Sequence, residues 1–340
     1  MTPAPPHVTT LGSWEADDVT VGQVESALSE LRRHEQKAAV RTSVLTLVAI
    51  VGDEASGHNA LEVVSELGAR HPSRTVVLVL DEHSVENGLD AQASVHVIER
   101  EGRAVCFEEL LLRVRGRTRH HLDSVVEPFA LPDLPLVVWL PDRLPSLGDP
   151  LLAVSDRVVI DSRAVAGAGS SAEARTLLPR IAALARRLPV TDLSWTRLAP
   201  WRSLLAGLFE GPVYRPFLRE IEKVEVTGNY GPRHLLGGWV MKRLEVPPAR
   251  VELVSGEHVS IRVTAVHRDR TGVFAVERPG AARVIHASVE IDRGPSVSQV
   301  LHMRGQWPSL ALAGALTRMG RDDVFCEALA GALELRQAAA

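Results

Sequence analysis

The sequence predicts an α/β protein in two parts: an N-terminal three-layer, Rossmann-like domain with a mixed sheet, and a C-terminal α+β domain with an antiparallel β-meander. Three observations carry that expectation. The chain has 340 residues, well beyond the roughly 150 that one domain usually takes. Between residues 41 and 162 short all-apolar runs alternate with segments of helical periodicity, the pattern of buried strands joined by crossover helices. From residue 251 the apolar period changes to two, with turn residues between the runs.

Residues 1–18, with Pro3, Pro5 and Pro6, read as a flexible tail. The N-terminal domain spans 19–163. Its first helix carries Val21, Val24, Leu28 and Leu31 on one face, and Thr20 with Gln23 forms a capping box. "RTSVLTLVAIVGD" (41–53) is a β-branched run fit for a buried strand, stopped by Gly52 and Asp53. A helix with Leu61, Val64 and Leu67, ending near Gly68, leads into the strand "TVVLVLDE", which completes a βαβ unit. "ASVHVIER" and "VCFEELLLRVRG" read as strands joined by a tight turn at Glu101 and Gly102, placing an antiparallel edge on the sheet. A helix at 119–130 and strands in "LPDLPLVVWLP" and "DRVVIDS" complete the domain.

"AVAGAGSS" (164–171) reads as a small-residue linker, and the C-terminal domain spans 172–338. Ser170 and Glu173 suit a capping box for a helix with Leu177, Ile181, Leu184 and Leu188. In "DLSWTRLAPWRSLLAGLFEGP" (192–212), Trp201, Leu204, Leu205 and Leu208 take the spacing of a packed helix face. Pro200 fits as the first residue of that helix or as a kink after an initial turn begun at Asp192 or Ser194. "NYGPRHLLGGWVMKRLE" supplies another helix. The meander follows in "VELV", "VSIRVTAVH", "TGVFAVERP" and "ARVIHASVEI", and helices near 296–304 and 321–335 close the chain.

Composition narrows the function classes. A net charge of −4, 45% hydrophobic and 24% charged residues describe an ordinary soluble globular protein and remove the basic excess expected of a nucleic-acid binder. The apolar runs are too short to span a bilayer, so no membrane partner is expected. "MTPAPPHVTTLGSW" has neither a basic start nor an apolar core to make a signal peptide. The two cysteines, Cys106 and Cys326, form no C-x-x-C or zinc pattern, which fits a reducing cytoplasm.

Sites of chemistry are sparse. The first strand–helix junction, "VGDEASGHN", lacks both G-x-G-x-x-G and the P-loop, and there is no G-x-S-x-G elbow. None of the 13 histidines falls into a metal-ligand spacing. No cofactor, metal or catalytic residue is expected. Two charged features stand out. In "LLRVRGRTRHH", Arg113, Arg115, Arg117 and Arg119 alternate, so a continuing strand would project them all from one face. Such a comb suits phosphate or an acidic protein surface, or it is the solvated face of an edge strand. In "HPSR", His71 and Arg74 lie between a helix and a strand, which suits an anion at a strand-end crevice with Asp53 or a simple turn.

In a chain only 4% aromatic, the segment at 192–212 places Trp195 and Trp201 beside Arg197 and Arg202. Burying one Trp ring is worth up to roughly 5 kcal/mol, so both rings need a site. Trp201 belongs to the packed helix face. Trp195 suits domain packing and a partner surface equally, since Trp with Arg is the pairing enriched at interface hot spots.

This segment resembles the signature of the glucose-6-phosphate dehydrogenase assembly protein OpcA family. "HPSRTVVLVLDE", "CFEELLLRVRG", "LPDLPLVVWLP", "SDRVVIDS" and "DDVFCEALAGAL" agree with it in the same order, so the resemblance runs from about residue 40 to about 335. It implies a non-catalytic partner that binds glucose-6-phosphate dehydrogenase and promotes its active oligomeric state, supporting NADPH production in the oxidative pentose phosphate pathway. Asp192, Trp195, Arg197, Pro200, Trp201 and Arg202 carry over as signature residues. Trp195, Arg197, Arg202, Arg113, Arg115 and Arg117 are the candidate partner contacts. Members under redox control have cysteines near the C-terminus; here Cys326 has no neighbour to pair with. The rival expectation is a small-ligand sensor or enzyme that holds a sugar phosphate or nucleotide in the strand-end crevice.

Overall fold

The all-apolar runs of the first half become the parallel centre of a sheet, since a strand without a polar face has to be covered on both sides. The computed structural model describes residues 8–33, 40–41, 43–68, 72–100, 103–168, 171–280, 283–294, 296–303, 308–317 and 320–338. Two compact units emerge. One comprises Met1–Ile160, Leu188–Val190 and Pro308–Met319; the other comprises Asp161–Arg187, Thr191–Trp307 and Gly320–Ala340.

In the first unit, β1 (Val8–Ala16), α1 (Val21–Arg33), β2 (Val40–Arg41), β3 (Thr46–Val51), α2 (Glu54–Gly68), β4 (Arg74–Asp81), β5 (Gly88–Arg100) and β6 (Arg103–Arg115) are followed by α3 (Leu122–Val126), β7 (Leu136–Leu140), α4 (Pro150–Ala153) and β8 (Arg157–Ile160). The strand order is β1-β5-β6-β4-β3-β7-β8, closed at its end by the short β9 (Val190–Asp192), with β2 beside β6. From β6 to β8 the pairings are parallel. β1 and β5 add the antiparallel side, so the sheet is mixed. Strands β3, β7 and β8 are buried along their whole length.

Several local expectations are met. Thr20 and Gln23 form the capping box of α1, the Thr20 N–H donating to Gln23 Oε1 at 2.8 Å and the Gln23 N–H to Thr20 Oγ1 at 3.3 Å. Others need correction. Residues 8–16 are strand β1 rather than flexible tail, because β5 offers them an edge to pair with; residues 1–7 lie outside the described residues. The run 41–53 gives only Thr46–Val51 to the central strand, while Val40–Arg41 pairs separately with β6. The turn at Glu101 and Gly102 lies outside the described residues, although Arg100 and Arg103 pair across it.

The second unit begins where the linker was expected. α5 (Ser162–Ala168) and α6 (Ser171–Ala185) are helices, since Ala and a single Gly do not by themselves prevent one. Ser170 lies outside the described residues. α7 (Leu193–Arg197), α8 (Ala199–Leu208), β10 (Ile221–Gly228) and α9 (Tyr230–Arg243) follow. Then come β11 (Val251–Ser255), β12 (Ser260–His267), β13 (Arg270–Glu277), β14 (Val284–Ile291) and β15 (Val297–His302). α10 (Pro308–Leu316) belongs to the first unit, where Ser309 Oγ donates to Glu66 at 2.5 Å, and α11 (Asp323–Ala338) ends the chain.

The second sheet has the order β11-β10-β12-β13-β14-β15. β12, β13 and β14 are antiparallel neighbours as expected of the meander, but β11, its expected first strand, pairs parallel with β10 instead, and β15 extends the meander at the other end. β10, which sequence reasoning missed, pairs antiparallel with β12 and parallel with β11; its alternation is broken by a register shift between Ile221 and Lys223. The helix expected at 296–304 is strand β15. Val297, Val300 and Leu301 satisfy helical spacing, but β14 presents an edge and the β-branched residues pair with it. The buried face of the sheet holds Val224, Val226, Ile261, Val263, Phe274, Val276, Ile285, Ala287 and Val289. α9 and α11 meet backbone to backbone at Gly238 and Gly331: a Cβ at Gly238 would overlap the Ala328 carbonyl and the Ala332 nitrogen. Among the described residues, no helix is long and apolar enough to cross a membrane.

Candidate functional site

The segment at 192–202 folds as two short helices in series. Asp192 caps α7 by accepting the Ser194 N–H at 2.8 Å, and Pro200 sits in the first turn of α8, where its missing N–H costs nothing. An initial turn capped by Asp192 does precede α8, but Pro200 stands in the first turn of a separate helix that begins at Ala199 rather than kinking a continuous one.

Both Trp rings are interior, each 2% exposed. Trp201 packs with Leu205 and Leu208, and its indole N–H donates to the Val259 carbonyl at 3.1 Å. Trp195 lies between the Arg202 guanidinium, 3.5 Å from its ring centre, and Phe325, 6.0 Å away. Its N–H donates to Asp322 Oδ2 at 3.0 Å, while Asp322 Oδ1 accepts the Phe325 N–H at 2.9 Å and so caps α11. One carboxylate thus ties the signature ring to the start of the last helix.

A buried polar cluster supports the other side of α7. Arg197 donates to Asp161 Oδ2 at 2.6 Å, and Ser194 Oγ to Asp161 Oδ1 at 2.8 Å. Asp192 is fully buried and also accepts the Ser162 N–H at 3.1 Å; its Oδ2 has no hydrogen-bond partner among the described residues. Burial, and then the nearby charge of Asp161, push its pKa up to about 6. The cluster holds α7 against α5.

The first unit presents a group of charged residues at its surface. At the carboxyl ends of β3 and β4, Gly52, Asp53, Asp81, Glu82, His83, Arg113 and Arg143 line a crevice of about 210 Å³. Asp53 accepts the Ser56 N–H at 2.9 Å and its hydroxyl at 2.8 Å, and these bonds hold its carboxyl below the usual range. Asp81 is lowered in the same way by the N–H groups of Ser84 and His83. Arg143 pairs with Glu82 at 2.9 Å. Arg113 is exposed and makes no ion pair among the described residues.

The four alternating arginines do not form one comb. Gly116, with φ of +62°, ends β6, and Arg117 and Arg119 lie on a 3-10 turn instead. β6 is an inner strand, so edge protection does not explain them. Arg115 is bound to Asp18 at 2.5 Å and Asp90 at 2.9 Å, which raises its pKa. Arg117 is exposed.

Arg74 is not in the crevice. It is the first residue of β4 and pairs with Thr46, the first of β3, whereas Asp53 follows the other end of β3. Its guanidinium donates to Glu108 at 2.6 Å and to the Phe129 carbonyl at 3.0 Å. Burial favours a neutral Glu108, but the Arg32 hydrogen bond and the charges of Arg74 and Arg32 outweigh it and lower its pKa. An anion is already in place there, and it belongs to the chain. His71 lies outside the described residues. Among the described residues, no group of three His, Cys, Asp or Glu side chains could hold a metal ion.

Sequence reasoning missed Asp161, Asp322 and Phe325, although "VVIDS" and "DDVF" place an acid at a strand end and ahead of a helix, where capping is common.

The chain matches two family models: the glucose-6-phosphate dehydrogenase subunit N-terminal domain over residues 64–178, and the C-terminal domain of the same subunit over residues 188–329. It is 25% identical over 285 residues to the OxPP cycle protein OpcA of Nostoc punctiforme, covering 76% of this chain and 60% of that one. The OxPP cycle protein OpcA of Synechocystis is 26% identical over 195 residues, covering 55% of this chain and 40% of that one. The matched region thus spans about half the length of these relatives.

Proposed function

Because the chain belongs to the OpcA family of glucose-6-phosphate dehydrogenase assembly proteins, we propose that it binds glucose-6-phosphate dehydrogenase and favours its active oligomeric state without catalysing a reaction itself. The family match on both halves of the chain carries the reading, and the relatives' names connect it with the OxPP cycle.

Activation of this kind is a difference in affinity for two states of the enzyme. Shifting a 1:99 mixture to 99:1 takes about 5.5 kcal/mol, within the range of a standard interface with a few good anchors. Arg113 and Arg117 are the exposed candidates for such anchors, and guanidinium groups suit an acidic surface. Trp195, Arg197, Arg202 and Arg115 act through the shape they hold, their functional groups being engaged within their own units.

Titrating the dehydrogenase with the chain tests the reading. Activity is expected to rise and saturate at a fixed molar ratio; no binding and no activation at tens of micromolar overturns it. The rival, a sugar phosphate or nucleotide in the strand-end crevice, meets a lining with four carboxylates, Asp53, Glu54, Asp81 and Glu82, against two arginines. That balance repels a polyanion. Calorimetry with sugar phosphates and NADP(H) is expected to show no heat of binding, and micromolar binding would favour the rival.

A further inference from the structure

The two edges of the second sheet are finished differently. At one edge, β11 carries Glu252, which pairs with Lys223 at 2.7 Å, and α9 packs on the strand. Charge and cover of this kind discourage further strand pairing. At the other edge all six residues of β15 are exposed and none carries a formal charge other than His302 when protonated. Val297, Val300 and Leu301 are 37%, 53% and 39% exposed, three of the nine large apolar residues so exposed among the described residues. Because Ile285 pairs with Leu301, Ala287 with Gln299 and Val289 with Val297, these β15 side chains continue the face that is buried on β14. The sheet's apolar face therefore runs one strand past its cover.

We propose that β15 pairs with β15 of a second copy of this chain, antiparallel and about a two-fold axis at Gln299, joining two six-stranded sheets into one. The backbone fixes the parity of that register. Met303 N–H donates to the Arg283 carbonyl opposite it at 2.9 Å, so in the alternation of an antiparallel ladder residues 297, 299, 301 and 303 direct their polar groups inward to β14. Ser298, Val300 and His302 direct theirs outward. Two outward sets meet only if even-numbered residues face even-numbered ones.

Pairing Ser298 with Val300 of the second copy satisfies this condition. On the apolar face it sets Val297 against Leu301 twice, once on each side of the axis, and brings Gln299 against itself. The side-chain amide both donates and accepts, so two copies of it are complementary. No like charges meet within the paired stretch. One such strand pair is smaller than a standard interface, so the association is reversible and concentration-dependent rather than permanent.

Sedimentation of the chain alone between about 1 and 200 µM reads this directly and needs no dehydrogenase, so it is independent of the proposed function. A monomer–dimer equilibrium is expected. Val297→Lys with Leu301→Lys places Lys opposite Lys twice and is expected to abolish the dimer with the melting temperature unchanged, since both sites are exposed. Val297→Lys with Leu301→Glu places Lys opposite Glu and is expected to restore it. Gln299→Cys is expected to cross-link under mild oxidation, because a non-hydrogen-bonded antiparallel pair has a Cα separation of about 4.5 Å, within disulfide reach. A chain that stays monomeric at 200 µM overturns the proposal, as does a dimer that the double Lys variant leaves intact or a Gln299→Cys dimer that forms no cross-link.

Discussion

The two units treat the same residue types in opposite ways. In the first, Arg113 and Arg117 stand at the surface beside an open crevice. In the second, Arg197 and Arg202 are engaged with Asp161 and the Trp195 ring, and both indoles are interior. The more specific sequence motif is thus the more internal one. Conspicuous spacing of Trp, Arg and Asp arises here because a packed brace tolerates few alternatives, whereas a contact surface needs only charge in roughly the right place.

Removing parts of the brace should cost most. Trp195→Ala is expected to lower stability by about 3–5 kcal/mol, through the cavity and through the loss of the Asp322 hydrogen bond, as read by urea unfolding. Asp161→Ala leaves Arg197 and the Ser194 hydroxyl without their acceptor and is expected to cost about 2–3 kcal/mol. Gly238→Ala forces a methyl group into the α11 backbone and is expected to cost about 2 kcal/mol; a variant as stable as the parent would mean that the two helices are not in backbone contact.

Asp192 sharpens the comparison through pH. Folding raises its pKa from 3.8 to about 6. Between those values the folded chain holds a proton that the unfolded chain has released, so this group makes stability decline as pH rises from about 4 to about 6 and level off above. Asp192→Asn keeps an oxygen to accept the Ser162 and Ser194 N–H groups and is expected to flatten that slope. It should also stabilise the chain at pH 7.5 by about 1–2 kcal/mol. Unfolding curves at pH 4.5, 5.5 and 7.5 read both effects. The smallest effect on stability is expected at the surface, where Arg113→Glu should shift it by less than about 0.5 kcal/mol.

Much of the fold was legible because its signals are local. The βαβ unit around Thr46–Asp81 follows from apolar runs and helical spacing, and the Thr20–Gln23 cap from three consecutive steps of sequence. Errors fell where a distant partner decides. Val297, Val300 and Leu301 fit a helix until β14 offers an edge, and residues 8–16 fit a tail until β5 does. The site was less legible for the same reason. Nothing near Arg74 announces Glu108, and nothing near Trp195 announces Asp322, 127 residues on. The alternation of Arg113 to Arg119 was real as sequence, but Gly116 at positive φ breaks the strand that would have aligned it.

The central claim is that the signature segment braces its own unit while partner contact falls to exposed charge on the other. Titrating glucose-6-phosphate dehydrogenase with Trp195→Phe and with Arg113→Glu, both held well below their melting temperatures, tests it most directly. Trp195→Phe is expected to lower stability yet give the parental binding curve within about twofold, and Arg113→Glu to keep stability and weaken binding by about tenfold, the effect of 1.4 kcal/mol. The reverse pattern, with binding lost in Trp195→Phe and kept in Arg113→Glu, would contradict it.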